Sequence, residues 1–203
     1  MGLEAKTKIT IGKNSMEGKV LLESSEVIIH GKERMRIPFN QIKTIAAADG
    51  VLRFSFGQIP IQIVLGLKAE KWLEKIKNPK TVFDKLGVKR DAKISVVNVT
   101  DKSFIEELKK RVVNVAIGKT TKKSDLIFYE ANSSDEVQRL SSLKKYLTSN
   151  GGIWVVSLKG KSATIKDVEV MAVGKKCGLV DVKVVGFSET HTALKFVIPA
   201  THR

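Results

Sequence analysis

Eight polar residues in the second half of the chain stand where chemistry could be done: Asn98, Asp101, Glu130, Asn132, Lys159, Lys161, Glu189 and His191. They lie in the loops that follow apolar runs of strand length. In an open parallel sheet, ligands bind beyond the carboxyl ends of the strands, and loops of this kind gather there. Asn98, Glu130, Lys159, Lys161, Glu189 and His191 form the candidate binding rim: a lysine pair, two carboxylates and an imidazole. Lysines attract carboxylate or phosphate, and imidazole is the side-chain base suited to neutral pH. Any parallel sheet collects polar loop residues at this edge, so no catalytic residue is assigned. For His191 a hydrogen bond that shapes its turn is an equal alternative.

The motifs of well-known cofactor sites are missing. A dinucleotide or S-adenosylmethionine cradle needs glycines in the turn after the first strand, so that backbone approaches the ligand closely. Here that turn reads Asn98-Val99-Thr100-Asp101-Lys102-Ser103, without glycine, and Asp101 would repel a phosphate. The acidic residue expected at the end of the second strand is absent too. Neither a phosphate-binding GxxxxGK[ST] loop nor a nucleophile elbow is present. His30, His191 and His202 fall at no helical ligand spacing, and the single cysteine, Cys177, excludes an internal disulfide and a cysteine-rich zinc site. Cys177 reads as a small buried or half-buried residue rather than a reactive thiol. The expectation is therefore no metal and no cofactor.

Two kinds of periodicity must position these residues. Between residues 6 and 65 the pattern alternates with period two, as in Met35-Ile37-Phe39, Leu52-Phe54-Phe56 and Ile59-Ile61-Ile63. Such alternation marks strands with one buried face. Turn signals at Lys13-Asn14, Ser24-Ser25, Gly31-Lys32, Asp49-Gly50 and Gly57 divide the stretch into seven strands: 6–12, 17–23, 26–31, 34–38, 42–48, 51–56 and 59–65. Ala69, Trp72, Leu73 and Ile76 then give the stripe of an amphipathic helix. Seven strands followed by one capping helix are similar to the pleckstrin-homology-like fold, which implies an antiparallel β-barrel closed by that helix. A different small barrel is the alternative.

After a junction at 78–91, strands and helices alternate. Lys93–Val99, Asp125–Glu130 and Ile153–Leu158 read as buried strands, and Asn114–Gly118 as a weak one. Helices are expected from caps at Asp101, at Ser134 (with Val137, Leu140, Leu143 and Leu147) and at Thr164 (with Ile165, Val168, Met171 and Ala172). Asn150-Gly151-Gly152 reads as a chain break, and Trp154 as core. Val180–Ser188 and Ala193–Pro199 form a closing strand pair. This order implies a mostly parallel sheet with an antiparallel edge hairpin. Only about six residues separate the weak strand from the next, where a parallel crossover normally takes about a dozen. Either 114–118 is irregular, or a helix-strand unit is missing. The fold class is thus α+β in two domains: a barrel at 1–80 and a small α/β Rossmann-like domain at 81–203.

Three stretches carry a second resemblance: Leu86-Gly87-Val88-Lys89, Asn150-Gly151-Gly152-Ile153-Trp154-Val155 with Lys159, and Gly178-Leu179-Val180-Asp181-Val182-Lys183 with Ser188-Glu189-Thr190-His191-Thr192-Ala193-Leu194-Lys195-Phe196. Through them residues 83–199 resemble a small bacterial family of uncharacterised, methyltransferase-like proteins. The resemblance implies a degenerate class I methyltransferase-like scaffold and brings no substrate.

The net charge of +15 divides between residues 1–80 (14 basic, 8 acidic) and 81–203 (22 basic, 13 acidic), mostly as lysine. A charge so dispersed reads as a solvated surface, with nucleic acid or an anionic membrane as a less favoured partner. No apolar run reaches the ~20 residues of a spanning helix. The first ten residues lack a secretory signal, and Lys6 stands where a Met1-Gly2 myristoylation motif wants Ser or Thr. A cytoplasmic protein is expected. The leading functional expectation is a non-catalytic binding protein that takes a protein, an anionic small molecule or a second copy of itself. An enzyme acting on an anionic metabolite at the rim is the alternative.

Overall fold

A computed structural model describes residues 3–31 and 33–202. The Met1-Gly2 motif and part of the Gly31-Lys32 turn lie outside the described residues. The chain divides into two compact units, Met1–Lys80 and Thr81–Arg203.

In the first unit seven strands run in series: β1 (Leu3–Ile11), β2 (Asn14–Leu22), β3 (Glu26–His30), β4 (Arg34–Pro38), β5 (Ile42–Ala48), β6 (Val51–Phe56) and β7 (Ile59–Val64). Helix α1 (Ala69–Lys77) follows. Alternation works as expected: Ile9, Val20, Val27, Ile29, Ile37, Leu52, Ile61 and Ile63 turn to one core, which Trp72 and Ile76 of α1 complete. The expected pleckstrin-homology-like barrel is not supported. The strands make one curled antiparallel sheet in the order β4-β3-β2-β1-β7-β6-β5. The physical reason lies in β1, nine residues long, which pairs with β2 on one edge and through Ile9–Ile11 with β7 on the other. Its hydrogen bonds join what would otherwise be two sheets.

The second unit opens with helix α2 (Val82–Leu86) and strand β8 (Lys93–Val97). Then come α3 (Lys102–Arg111), β9 (Asn114–Ile117), β10 (Ser124–Glu130), α4 (Ser134–Gln138), α5 (Leu140–Leu143), β11 (Leu147–Leu158), α6 (Asp167–Lys176), β12 (Val180–Gly186) and β13 (His191–Val197). The sheet order is β12-β13-β11-β10-β8-β9. Strands β8 to β11 are parallel, and β13 lies antiparallel between β11 and β12. One face packs Ile94, Val96, Phe104, Phe128, Trp154 and Val156 together. The other packs Ile127, Tyr129, Val137, Ile153, Val155, Val170 and Phe196. Both faces are covered, which accounts for the continuous apolar runs in the sequence.

The short connection after β9 has a specific explanation. Strand β9 pairs with β8 for four residues, then turns at once, with the Gly118 N–H donating to the Val96 carbonyl at 2.8 Å. The return through Gly118–Lys123 rests on buried hydroxyls. Ser95 Oγ lies 2.9 Å from Ser124 Oγ and accepts from the Thr121 N–H at 3.0 Å. Ser95 and Ser124 are fully buried and satisfied by each other and by the loop. A crossover helix is absent between these strands because the chain needs to retrace only four residues.

Three local expectations are corrected. Leu147 begins β11 instead of ending a helix, since the helical stretch breaks into two short helices and a 3₁₀ turn at Lys144–Tyr146. Asn150-Gly151-Gly152 does not interrupt the chain but forms an irregularity within β11. A Cβ on Gly152 would sit 2.7 Å from Lys195 Cε and 3.2 Å from the Phe196 carbonyl, so glycine here serves close approach to β13. Val168, assigned to a buried stripe, is 66% exposed because α6 begins at Asp167 and turns that residue outward. Trp154 is fully buried, as expected for core.

Candidate functional site

The carboxyl ends of β8, β10 and β11 and the amino end of β13 meet at one edge of the second sheet. Glu130 ends β10. Its Oε2 accepts the backbone N–H of Thr100 at 2.8 Å and the Thr100 hydroxyl at 3.0 Å. Its Oε1 lies 3.7 Å from Nε2 of His191, the first residue of β13. Both side chains are largely enclosed, with 13% (His191) and 10% (Glu130) of their surface exposed. A carboxylate and an imidazole in this setting attract strongly once the ring is protonated, because little water screens them.

The other ring nitrogen faces hydroxyls. His191 Nδ1 lies 2.9 Å from Thr190 Oγ1 and 3.4 Å from Ser188 Oγ. Ser188 Oγ accepts the backbone N–H of His191 at 3.1 Å, which fixes the turn from β12 into β13. Lys159, just past β11, donates its Nζ to the Ser188 carbonyl at 2.7 Å and its N–H to the Thr190 carbonyl. The imidazole is therefore faced by Glu130 and by the hydroxyls of its own turn, and Lys159 braces that turn. Asn132, two residues past Glu130, donates Nδ2–H to Glu130 Oε1 at 3.4 Å and accepts the Leu158 N–H on Oδ1 at 3.0 Å.

Beside this cluster is a groove of ≈ 540 Å³. Its walls include Leu158, Ala163, Ile165 and Thr192, with Lys159 and Lys166 among the lining residues. Leu158 is the register partner of His191, and Thr192 is its chain neighbour, so the groove adjoins the imidazole.

Of the six rim residues, Glu130 and His191 come together, and Lys159 braces their turn. Asn98, Lys161 and Glu189 are exposed and take no part in the contacts just described. Thr100, Ser188 and Thr190 were not singled out in the sequence. Ser-x-Thr-His preceding a strand is a recognisable hydroxyl turn, but nothing local points from Thr100 to Glu130, 30 residues on. Among the described residues no group of three or more His, Cys, Asp or Glu is placed to hold a metal ion, and no helix is long and apolar enough to cross a membrane.

Asn98 adopts φ 59°, a left-handed conformation that glycine more commonly supplies. The tight strand-to-helix turn is thus made without glycine. Its polar groups are already engaged: Thr100 by Glu130, and Asp101 Oδ1 by the Phe104 N–H at 3.0 Å, capping α3. Strand β9 ends at Ile117 without a carboxylate.

No family model matches the chain, and no curated protein matches it. Solved structures do. A S-adenosylmethionine-dependent methyltransferase from Aquifex aeolicus is 14% identical, with TM-score 0.47, over 61% of this chain and 92% of that one. A TehB-like methyltransferase from Corynebacterium glutamicum is 13% identical, with TM-score 0.39, over 64% and 95%. Fibrillarin from Aeropyrum pernix, with natively bound S-adenosyl-L-methionine, is 8% identical, with TM-score 0.42, over 85% and 94%. By its own topology, parallel strands β8 to β11 with both faces covered, the second unit is Rossmann-like. The expectation of a non-catalytic binding protein is not kept: these neighbours are named as methyltransferases and a fibrillarin. At such identities the likeness is one of fold, so the chemistry has to come from the site itself.

S-adenosyl-L-methionine, natively bound in the Aeropyrum pernix protein, does not fit the turn after β8 of this chain while Glu130 holds Thr100. The Thr100 N–H and hydroxyl that would face a ligand are both taken by Glu130, and β9 offers no carboxylate for a ribose.

Proposed function

We propose that the second unit is a group-transfer enzyme in which His191 serves as general base toward a hydroxyl or amine of the acceptor substrate. The observation that carries this reading is the enclosed pairing of His191 Nε2 with Glu130 Oε1 at 3.7 Å, on the sheet edge where open α/β folds place their chemistry. With Nε2–H turned to Glu130, Nδ1 is the basic nitrogen. The exposed Thr190 hydroxyl at 2.9 Å passes its proton to Nδ1 and takes the acceptor's proton in exchange. Glu130 stabilises the imidazolium that results, as a carboxylate does for a catalytic histidine elsewhere. The groove beside Leu158 and Thr192 would seat an acceptor with an apolar body, and Lys159 and Lys166 suit one that also carries an acidic group.

Methyl transfer is a second reading. The left-handed turn at Asn98 favours it, because the backbone path that a cofactor turn requires is present. It requires Glu130 to leave Thr100. The first unit, with seven strands in series and a closing helix, would act as an accessory module.

Calorimetric titration of the full chain with S-adenosylhomocysteine separates the two readings. Binding that tightens in Glu130→Gln supports methyl transfer through a displaced Glu130. A product scan with isotope-labelled methyl and acyl donors against hydroxylated and aminated acceptors tests the base. A product that forms with the native chain and falls about a hundredfold or more in His191→Ala supports general-base catalysis. An equal yield from both removes His191 from the reaction.

A further inference from the structure

We infer that Asn132 is a positioning residue that ties the wall of the groove to the His191–Glu130 pair. This rests on the reading of that pair as the working centre. Asn132 is half-buried and makes four polar contacts, each to a different element of the site. Its backbone N–H donates to Glu136 Oε2 at 2.6 Å, anchoring it to α4. Its carbonyl accepts from the Thr164 hydroxyl at 2.5 Å, in the loop that forms the groove's far wall. Its side-chain carbonyl holds the Leu158 N–H at 3.0 Å, at the end of β11 and across the ladder from His191. Its side-chain NH₂ reaches Glu130 Oε1 at 3.4 Å, the same oxygen that faces His191.

The two ends of one planar amide thus fix two distances at once. Oδ1 sets where β11 stops and the groove loop begins. Nδ2 sets where Oε1 of Glu130 points, while Thr100 holds the other oxygen. A carboxylate pinned at both oxygens keeps a single orientation toward the imidazole. A carboxylate freed at Oε1 rotates about its bond to Thr100 and presents a time-averaged, weaker field. The charged groups around His191 are Glu130 from β10, Lys159 past β11, already engaged by the Ser188 carbonyl, and Glu189 on the preceding turn. Of these, Glu130 is the one that Asn132 touches.

The test needs no substrate. The ring proton and nitrogen resonances of His191 are followed by NMR at one fixed pH in the full-length native chain, with the other two histidines, His30 and His202, as references. Glu130→Gln shifts the His191 ring resonances, because the group facing Nε2 is replaced. Asn132→Ala shifts them in the same direction by at least half as much, because Glu130 Oε1 loses its amide partner. Asn132→Asp keeps the acceptor for Leu158 and so keeps the fold, but it removes the donor to Glu130 and shifts the resonances as well. If both Asn132 variants leave the His191 resonances at their native positions while Glu130→Gln moves them, Asn132 has no positioning role and the pair stands. If Glu130→Gln also leaves them unmoved, the pairing itself is void, and the proposed general base falls with it.

Discussion

The indole N–H of Trp154 donates to the carbonyl oxygen of Leu86 at 3.0 Å, across 68 residues of sequence. Both residues are fully buried, and the bond fastens the end of α2 to the centre of the second sheet. Trp72, equally buried in the first unit, has no acceptor for its indole N–H among the described residues. The pair makes a controlled comparison. Trp154→Phe removes a ring and strands a buried carbonyl, so it should cost roughly 3 kcal/mol, whereas Trp72→Phe should cost about 1 kcal/mol less. Urea denaturation followed by circular dichroism measures both. Equal losses would mean that the Leu86 contact contributes nothing.

Gly174 lies on the inner face of α6, against the ring of Phe196. A Cβ there would overlap Cε1 of that ring and stand 2.7 Å from Cδ1. Alanine is the better helix former, by about 1 kcal/mol. Overpacking should win nonetheless, and Gly174→Ala should destabilise the second unit by about 2 kcal/mol. Adding Phe196→Leu to Gly174→Ala should recover part of the loss. A stabilised Gly174→Ala chain would show that the α6–β13 contact yields easily.

Lys195 packs beside Trp154, with Nζ 5.8 Å from the ring centre, and is the register partner of Lys183. Burial, followed by the charge of Lys183, holds its ammonium below the usual lysine range. The folded chain therefore releases this proton more readily than the unfolded chain does. While Lys195 stays charged it works against folding, and that penalty fades as pH rises through its lowered folded value toward the ordinary one. Lys195→Met should raise Tm by about 2 °C at neutral pH, and the advantage should shrink in the alkaline range. A gain that is the same at all pH values would point to packing rather than charge.

Asp101 caps α3, accepting the Phe104 N–H. Asp101→Ala should lower stability by about 1 kcal/mol. Asp101→Ser should restore most of it, since serine caps as well as aspartate. A chain indifferent to both would place the start of α3 under tertiary control.

Much of the fold is legible in the sequence because its signals are local. Asp49-Gly50 announces the β5–β6 hairpin, with Asp49 at φ 53° and Gly50 at φ 73°. The period change at Ala69 announces α1, and the capping aspartate announces α3. What escaped notice depends on partners far away in the chain. The hydroxyl set of Ser95, Thr121 and Ser124 explains the short return after β9, yet each residue alone reads as an ordinary polar position. The joining of the first seven strands into one sheet rests on three register partners between β1 and β7, fifty or more residues apart. At the site, Glu130 and His191 were named as members of a rim that topology assembles. Their pairing, and the diversion of Glu130 to Thr100, follow from side-chain reach, which periodicity does not encode.

The return at Gly118 has a bearing on shape that concerns any molecule lying on the sheet edge. Beyond β8 the ledge stops: Gly118 and Lys119 fold back onto Val96, and the strand beside it is four residues long. On the opposite flank the ledge continues over β10 and β11 to the head of β13 and the groove under Ile165. On the proposed reading of His191, a bound molecule would have one direction in which to extend. Its reacting end would lie by His191 and its remaining length toward α6, and a long ligand that must spread both ways from the centre would find half of its bed missing.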